Sequence, residues 1–597
     1  MNEILQLKGI FEQNSAKNKP GPPNIPKNKH IQLQHLYLLR EDLENVLNFW
    51  EKENLKISPL ISIYYNNIVA KSTRAKGILG GTQEKNNNLI VGSKFTKDIE
   101  KKHIITYCVG IKLLKKTLTD ITDVIELFKK YFTDIITYSD IEDINKNKYK
   151  HIFTKNSLKK SKFVNILVDM YYIENFGIEK NISDFNENTI VTIYDTGLKT
   201  EEIMKQLKIN FLEVKSIDET TLLLNPEQFR ILKDKAPYLI SMAVSDISIL
   251  DNEDFNFGTE KLITVPSPQN EPIIGVIDTM FDESVYFSEW VEFNNMLDKN
   301  IELSKEDYRH GTMVSSIIVD GPTLNPFLDD GCGRFRVKHF GVATSGRFSS
   351  FTILRAIKEI IEKNRDIKVW NLSLGSTMEV NENFISPEAA ILDKIQYEND
   401  VIFVIAGTNK PKNSKIKRIG APADSINSIV INSVGFDGKP AEYSREGNVL
   451  SFFNKPDVCY YGGDRNKAIR VCSPLGEAFV EGTSFAAPWI ARKLAYLINI
   501  LGLSRELAKA LIIDSATGWN NIDYSAKLVG YGTVPIHINS IIKTPKDEIK
   551  FMLSGISEKY ETYNYNIPIP EEKEKQPFVA KATLCYFPNC SRNQGVD

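Results

Sequence analysis

Between residues 271 and 540, short apolar runs alternate with segments that have the periodicity of amphipathic helices. Buried strands separated by helices predict a mainly parallel sheet with helices on both faces. We therefore expect one three-layer α/β domain over 271–540. The predicted strands are PIIGVID, KVWNLSL, DVIFVIAG and SIVINSVG, and the strongest helical patterns cover residues 350–363, 386–398, 484–501 and 504–515.

Three regions precede this domain and one follows it. Residues 1–30 contain a stretch rich in Pro, Lys and Asn and predict a linker or extended arm. Residues 31–185 mix helical and extended patterns, which predicts a small α+β domain. Residues 546–597 predict a β-rich segment that is too short to bury a sheet by itself. That segment is either a truncated piece or packs on the α/β domain, with FVAKATLCYFP as one of its strands.

Residues 190–250 have the element order β-α-β-β-α-β, which is the ferredoxin-like plan. Thr200 is expected to cap the first helix, whose first turn carries two acidic residues. Asn225 is expected to cap the second helix, with Pro226 at its first position. We therefore predict a separate ferredoxin-like domain directly before the α/β domain.

Composition and charge argue against several classes of function. A net charge of −2 gives no general attraction to nucleic acid or to a membrane surface. The first residues lack the basic start and apolar core of a secretory signal, and no run reaches the ~18 apolar residues that a membrane helix needs. The six cysteines are scattered, so a disulfide framework is not expected. Together these features predict a cytoplasmic protein.

Three polar residues stand in contexts that suit acyl-transfer chemistry. Asp278 ends an apolar strand, at the edge where open α/β sheets build their sites. His310 lies where the polar run DYRHG leads into an apolar helix. Ser484 is expected near a helix N-terminus, whose dipole favours developing negative charge, with Pro488 in the first turn. Taken singly, each is more often a turn residue, a structural histidine or an ordinary helix cap.

Taken together, the segments IIGVIDT, HGTMV and GTSFAAP resemble the three signature sites of the subtilisin-like serine proteases (subtilases, peptidase family S8), in the family's order Asp, His, Ser. The resemblance implies a subtilisin-like fold and a triad of Asp278, His310 and Ser484 that hydrolyses peptide bonds in protein or peptide substrates. It also implies that Asn409, in VIFVIAGTNKP, donates a hydrogen bond to the oxyanion. No cofactor or catalytic metal is implied; structural calcium is common in the family, but no loop here is assigned to it.

Two further segments, KVWNLSLGS and FGVATSGRFSSFTILRAI, resemble the strands that hold the substrate in this family. Three departures from the family pattern stand out. Met313 replaces a second histidine, Phe485 replaces a methionine after the serine, and the extra Thr408 before Asn409 is expected to affect the position of that side chain. The implied substrate-binding residues are Thr344, Ser345, Gly346, Ser373, Leu374 and Gly375.

The resemblance also bears on regulation. Subtilase propeptides of ferredoxin-like plan act as chaperones and inhibitors, so residues 190–250 are either a propeptide that is cut off within 250–270 or a retained regulatory domain. A long N-terminus without a signal resembles a bacterial cytoplasmic subset of the family, which implies a possible ATPase partner.

Two other functions stay open. The chain could be a latent enzyme or a pseudoprotease that acts as a binding module. It could also be a subtilase that transfers the acyl group to an amine and so ligates or cyclises peptides. The second function would require residues 319–335 to form a lid that excludes water, whereas the pattern favours a surface loop.

Overall fold

The computed structural model divides the chain into two compact units. The N-terminal unit comprises residues 20–246 with 382–387 and 591–597, and the α/β unit comprises residues 1–19, 247–381 and 388–590. The structure describes residues 1–7, 12–14, 21–70, 74–75, 77–79, 89–98, 100–154, 158–180, 182–249, 255–257, 264–411, 414–450, 453–518, 525–556, 562–564 and 579–590.

The first part of the N-terminal unit is an antiparallel four-stranded sheet packed against long helices. Seven apolar side chains of the first helix are buried on one face, at the spacing that an amphipathic helix requires. In spatial order the strands are Ile90–Phe95, His103–Cys108, Leu60–Tyr65 and Ile173–Gly177, and the main helices are Leu33–Lys52, Ile111–Phe132, Tyr138–Asn145 and Lys160–Tyr172.

The second part of this unit has the predicted order β-α-β-β-α-β. Asn225 caps the second helix as predicted, since its side chain accepts a hydrogen bond from the Gln228 N–H at 2.9 Å. The predicted cap at Thr200 is wrong, because Lys199 precedes the first helix and the Thr200 hydroxyl donates to the Glu219 carbonyl instead. The strands are Thr189–Ile193, Lys215–Ser216, Thr221–Leu224 and Ile240–Ser245, and the helices are Thr200–Leu207 and Pro226–Lys235.

The two parts of the N-terminal unit share one hydrophobic core. A single cluster of buried side chains runs from Ile25 to Ile240. Trp50 of the first part packs edge to face against Tyr238 of the second, with 4.9 Å between ring centroids. The predicted domains 31–185 and 190–250 therefore bury their apolar faces against each other instead of forming separate cores.

The α/β unit is built on a nine-stranded sheet, which is parallel over its first eight strands. This arrangement confirms the predicted fold class. In spatial order the strands are β4 (Val291–Asn295), β5 (Arg336–Gly341), β3 (Ile273–Asp278), β7 (Val369–Leu372), β8 (Ile402–Ala406), β9 (Ile429–Val434), β10 (Val458–Tyr461), β14 (Gly532–Thr533) and β13 (Thr517–Gly518).

Helices and smaller sheets complete the α/β unit. The predicted boundaries of its main helices are correct to within a few residues. Two short strands, β1 (Ile247–Ile249) and β2 (Phe255–Phe257), pair antiparallel with β6 (Arg347–Ser349) and with β12 (Gly476–Val480), which itself pairs with β11 (Ile469–Ser473). The main helices are α1 (Arg309–Leu324), α2 (Ser350–Lys363), α3 (Pro387–Asn399), α4 (Thr483–Ala495) and α5 (Arg505–Ser515).

Residues 1–7 and 579–590 belong to this unit. Residues 2–3 and 5–6 pair with 543–544 and 551–552, so the described start of the predicted arm 1–30 is paired backbone. Residues 579–590 contain no strand, which makes the strand predicted there wrong over its described part. Phe587 nevertheless is only 8% exposed and lies against the Arg505 guanidinium, 4.1 Å from ring centroid to Cζ. This part of the segment therefore packs on the α/β unit.

The segment 319–335, predicted to be a surface loop with a lid as the alternative, is partly helical and partly buried. Residues 319–324 complete α1, and Leu328 and Phe335 are fully buried. Asp330 is also fully buried and accepts two hydrogen bonds from Arg492, each 2.8 Å long. A buried ion pair of this kind holds the segment inside the unit.

Candidate active site

Asp278 and His310 meet at the carboxyl edge of the sheet. Asp278 is the last residue of β3 and is fully buried, and His310 is the second residue of α1, with 19% of its side chain exposed. His310 Nδ1 lies 2.5 Å from Asp278 Oδ1, which also accepts from the Thr279 N–H at 2.7 Å. The carboxylate thus fixes the imidazole so that Nε2 faces away from it.

Ser484 is the second residue of α4, at the helix N-terminus as predicted, and is 6% exposed. Its hydroxyl donates to the Ser373 carbonyl at 3.4 Å, and the His310 ring lies 5.9 Å from that of Phe485. The serine therefore begins a buried helix on the side of the sheet where Asp278 and His310 meet. Exposed N–H groups at such a helix start favour negative charge on a nearby oxygen.

Pro488 lies in the second turn of α4, so its prediction as a first-turn residue is wrong. A proline has no N–H to donate to the carbonyl four residues earlier, which here belongs to Ser484. The Ser373 hydroxyl donates to that carbonyl instead, at 3.3 Å, and itself accepts from Asn371 Nδ2 at 2.9 Å. The strand β7 thereby anchors the first turn of the serine helix.

Asn409 lies next to the same helix start. Its side-chain Oδ1 accepts from both the N–H and the hydroxyl of Thr483, each at 3.0 Å. Because the amide is planar, these bonds turn its NH₂ group to the opposite side. Thr408, which precedes it, is buried and has a left-handed backbone with φ of 67°. The threonine thus occupies a conformation that usually belongs to glycine, and Asn409 stays close to Ser484.

The predicted substrate-binding residues follow two different strands. Ser373, Leu374 and Gly375 leave the sheet directly after β7, beside Ser484. Thr344 and Gly346 are partly buried and Ser345 is exposed, in the segment between β5 and β6. No sequence pattern links this second segment to the histidine, but the structure does, because Ser345 bonds to Asp307, three residues before His310.

Asp307 was missed by the sequence analysis. One carboxylate oxygen accepts from the N–H and hydroxyl of Ser345, at 2.6 and 2.8 Å, and the other accepts from the N–H and hydroxyl of Ser304, at 2.7 and 2.8 Å. Although burial alone would raise the pKa of Asp307, the hydrogen bonds from Ser304 and Ser345 lower it. The spacing Ser-x-x-Asp before the histidine is the signal that could have identified this residue.

His339 was missed as well. It is fully buried, its Nε2 lies 2.8 Å from the Thr279 carbonyl and its Nδ1 lies 2.9 Å from the Ser315 hydroxyl. Burial lowers the pKa of His339, which keeps the ring neutral. The available signal was a histidine inside the strand segment RVKHFG. This ring supports the backbone directly after Asp278.

Within the described ranges, no group of three or more His, Cys, Asp or Glu side chains is arranged to hold a metal ion. Among the helices that the structure describes, none is both long and apolar enough to cross a bilayer. The predictions of no cofactor, of an ATPase partner and of a cytoplasmic location stay predictions.

The sequence model of the subtilase family matches residues 186–532, which is more than half of the chain. The chain therefore belongs to the subtilase family and is a serine protease of that family. This membership confirms the resemblance read from the three signature segments.

Individual proteins are more distant. No curated protein sequence matches the chain. Among solved structures, the prenylagaramide maturation protease PagA is 20% identical, covers 45% of this chain and 92% of its own, and has a TM-score of 0.35. The epidermin leader peptide processing serine protease EpiP from Staphylococcus aureus is 17% identical, covers 60% and 99%, and has a TM-score of 0.43. The protease domain of PatA is 17% identical, covers 45% and 93%, and has a TM-score of 0.36.

Proposed function

We propose that the chain is a serine endopeptidase in which Asp278, His310 and Ser484 form the catalytic triad. The observation that carries this proposal is the 2.5 Å contact between Asp278 Oδ1 and His310 Nδ1, at the sheet edge where the Ser484 helix begins. A buried carboxylate on one imidazole nitrogen leaves the other nitrogen to act as a general base.

The proposed reaction follows from these positions. His310 takes the hydroxyl proton of Ser484 as Oγ attacks the peptide carbonyl, and Asp278 stabilises the imidazolium that forms. The negative oxygen of the tetrahedral intermediate is stabilised by the N–H of Ser484 and by the Asn409 side chain, whose other end is held by Thr483. His310 then protonates the leaving amine, and water hydrolyses the acyl-enzyme.

We further propose that the N-terminal region regulates this site through the strands that follow it. β1 pairs antiparallel with Arg347–Ser349, directly after the predicted substrate-binding residues Thr344–Gly346. β2 pairs with Ala478–Val480, which ends four residues before Ser484. The chain thus lies along the substrate-binding edge at Ile249 and beside the serine loop at Phe255. The proposal narrows the cleavage range from 250–270 to the peptide bonds between Ile249 and Phe255.

An activity-based probe tests both parts. The full chain is incubated with a fluorophosphonate, and Ser484→Ala and the matched control Ser515→Ala are treated in the same way. The Ser515 hydroxyl donates to a carbonyl within α5. We expect the wild type and Ser515→Ala, but not Ser484→Ala, to be labelled. Intact masses then show whether the N-terminal region is removed, at a bond between Ile249 and Phe255, or retained.

The outcomes separate the parts of the proposal. Labelling that persists in Ser484→Ala, or a wild type that never reacts and never cleaves a peptide, would contradict the assignment of the serine. A cut outside 249–255 in an active chain would contradict only the proposed position of the regulatory strands. A product whose mass differs from that of the hydrolysis product, lighter by one water for a cyclised peptide or heavier for a ligated one, would favour acyl transfer instead.

A further inference from the structure

Thr408 has an unfavourable backbone conformation and follows a central strand of the sheet. Its strand β8 is the parallel neighbour of β7, with Leu372 opposite Ile405, so Gly375 and Thr408 leave the sheet side by side. A φ of 67° is uncommon for any residue with a side chain and most unfavourable for a β-branched one. Strain of this kind persists where the surrounding structure holds it, often at functional sites.

The Thr408 side chain fills the space between the two strand ends. Its hydroxyl accepts from the Gly420 N–H at 3.0 Å and donates to the Gly407 carbonyl at 2.6 Å. A Cβ added to Gly375 would lie 2.4 Å from the Thr408 methyl carbon, so the two residues are in direct contact. The methyl group therefore closes the gap between them.

The backbone segments next to Thr408 are also tightly packed. A Cβ on Gly420 would lie 1.8 Å from the Ser376 carbonyl oxygen, which places these two backbones against each other. Beneath them Arg445 is 1% exposed and donates to the carbonyls of Ser376 and Thr377, each at 3.0 Å. These contacts leave no room for a large side chain on this side of Thr408 either.

We propose that Thr408 restricts the residue before the cleaved bond (P1) to glycine or alanine. The inference rests on the proposed function, because Ser373 and Asn409 flank Ser484 and so direct the P1 side chain between their near neighbours Gly375 and Thr408. There it meets the Thr408 methyl on one side and Gly375 on the other. In a hydrophobic pocket each missing or extra methyl group changes kcat/KM by about 10–200-fold.

The test compares the full-length wild type with Thr408→Gly and Thr408→Ser on quenched fluorescent peptides that differ only at P1, as Ala, Val or Phe. Thr408→Gly removes the side chain and suits the left-handed backbone, and Thr408→Ser keeps the hydroxyl but removes the methyl group. Each cleavage rate is divided by the fraction of protein molecules that a fluorophosphonate labels. Product masses confirm the bond that is cut.

We expect the wild type to prefer Ala over Phe by at least about tenfold, and Thr408→Gly to shrink this preference by about tenfold or more. Thr408→Ser should accept Val better than the wild type does, because only the methyl group is gone. A labelled wild type that cleaves Phe as fast as Ala, or an unchanged preference in Thr408→Gly, overturns this inference alone. A chain that is neither labelled nor active overturns the proposed function and this inference with it.

Discussion

Replacing Asp330 by asparagine should strongly destabilise the α/β unit. Asp330 and Arg492 are both fully buried and share two hydrogen bonds of 2.8 Å, and Lys493 Nζ lies 4.0 Å from the same carboxylate. The substitution leaves two buried cations without an anion. Because Arg492 lies two turns after Ser484 in α4, the loss falls on the helix that carries the proposed nucleophile.

The structure sets the size of the effect in two ways. Removing one partner of a buried ion pair costs about 3–5 kcal/mol, because the other charge stays buried. Burial by itself would raise the pKa of Asp330, but the charge and hydrogen bonds of Arg492 lower it from 3.8 to about 2. That difference corresponds to about 2 kcal/mol of stabilisation at neutral pH. The loss of about 3–5 kcal/mol is the larger of the two because it also includes the cost of leaving Arg492 buried without a partner.

Hydrogen exchange read by mass spectrometry on α4 peptides is the assay, in a Ser484→Ala background that prevents self-digestion. The matched control is Glu359→Gln, which breaks an exposed pair with Lys363 and should leave the free energy of unfolding nearly unchanged. An Asp330→Asn chain whose α4 exchanges no faster than the control would refute the reasoning.

The acid dependence gives a second readout of the same pair. A carboxylate with a lowered pKa stabilises the folded state above its unfolded pKa of 3.8, and this contribution disappears as the pH falls towards the folded value of about 2. The wild type should therefore lose protection of α4 between pH 4 and pH 2. Asp330→Asn should lack this part of the acid transition.

Three further predictions concern single side chains. Lys493→Met should leave the free energy of unfolding unchanged or raise it by about 1–4 kcal/mol, because burial lowers the pKa of Lys493 and so makes its charge unfavourable. A lower melting temperature than that of the wild type would contradict this. Asn409→Ala should lower kcat about 10²–10³-fold with little change in KM, and equal losses in a probe-binding assay would argue for misfolding instead. Asp307→Asn should lower kcat/KM about tenfold on long peptides and less on short ones, because Ser345 loses its carboxylate partner.

The sequence by itself determined the fold class, the family and the order of the three signature segments. Apolar strands that alternate with helices are buried when they form a parallel sheet covered by the helices. This pattern is local and periodic, so it can be recognised in the sequence. The positions of Asp278 at a strand end and of Ser484 at a helix start followed from the same local signals.

Only the tertiary structure decided how these local elements are joined. Asp330 and Arg492 are 162 positions apart, and Ser373 and Ser484 are 111 apart, so no periodicity could pair them. The left-handed backbone of Thr408 is likewise imposed by its neighbours, against the preference of the residue itself. Such contacts depend on side chains that meet when distant segments pack. For this reason the sequence pattern identified the candidate residues, whereas the packing decided which distant side chains hold them in place.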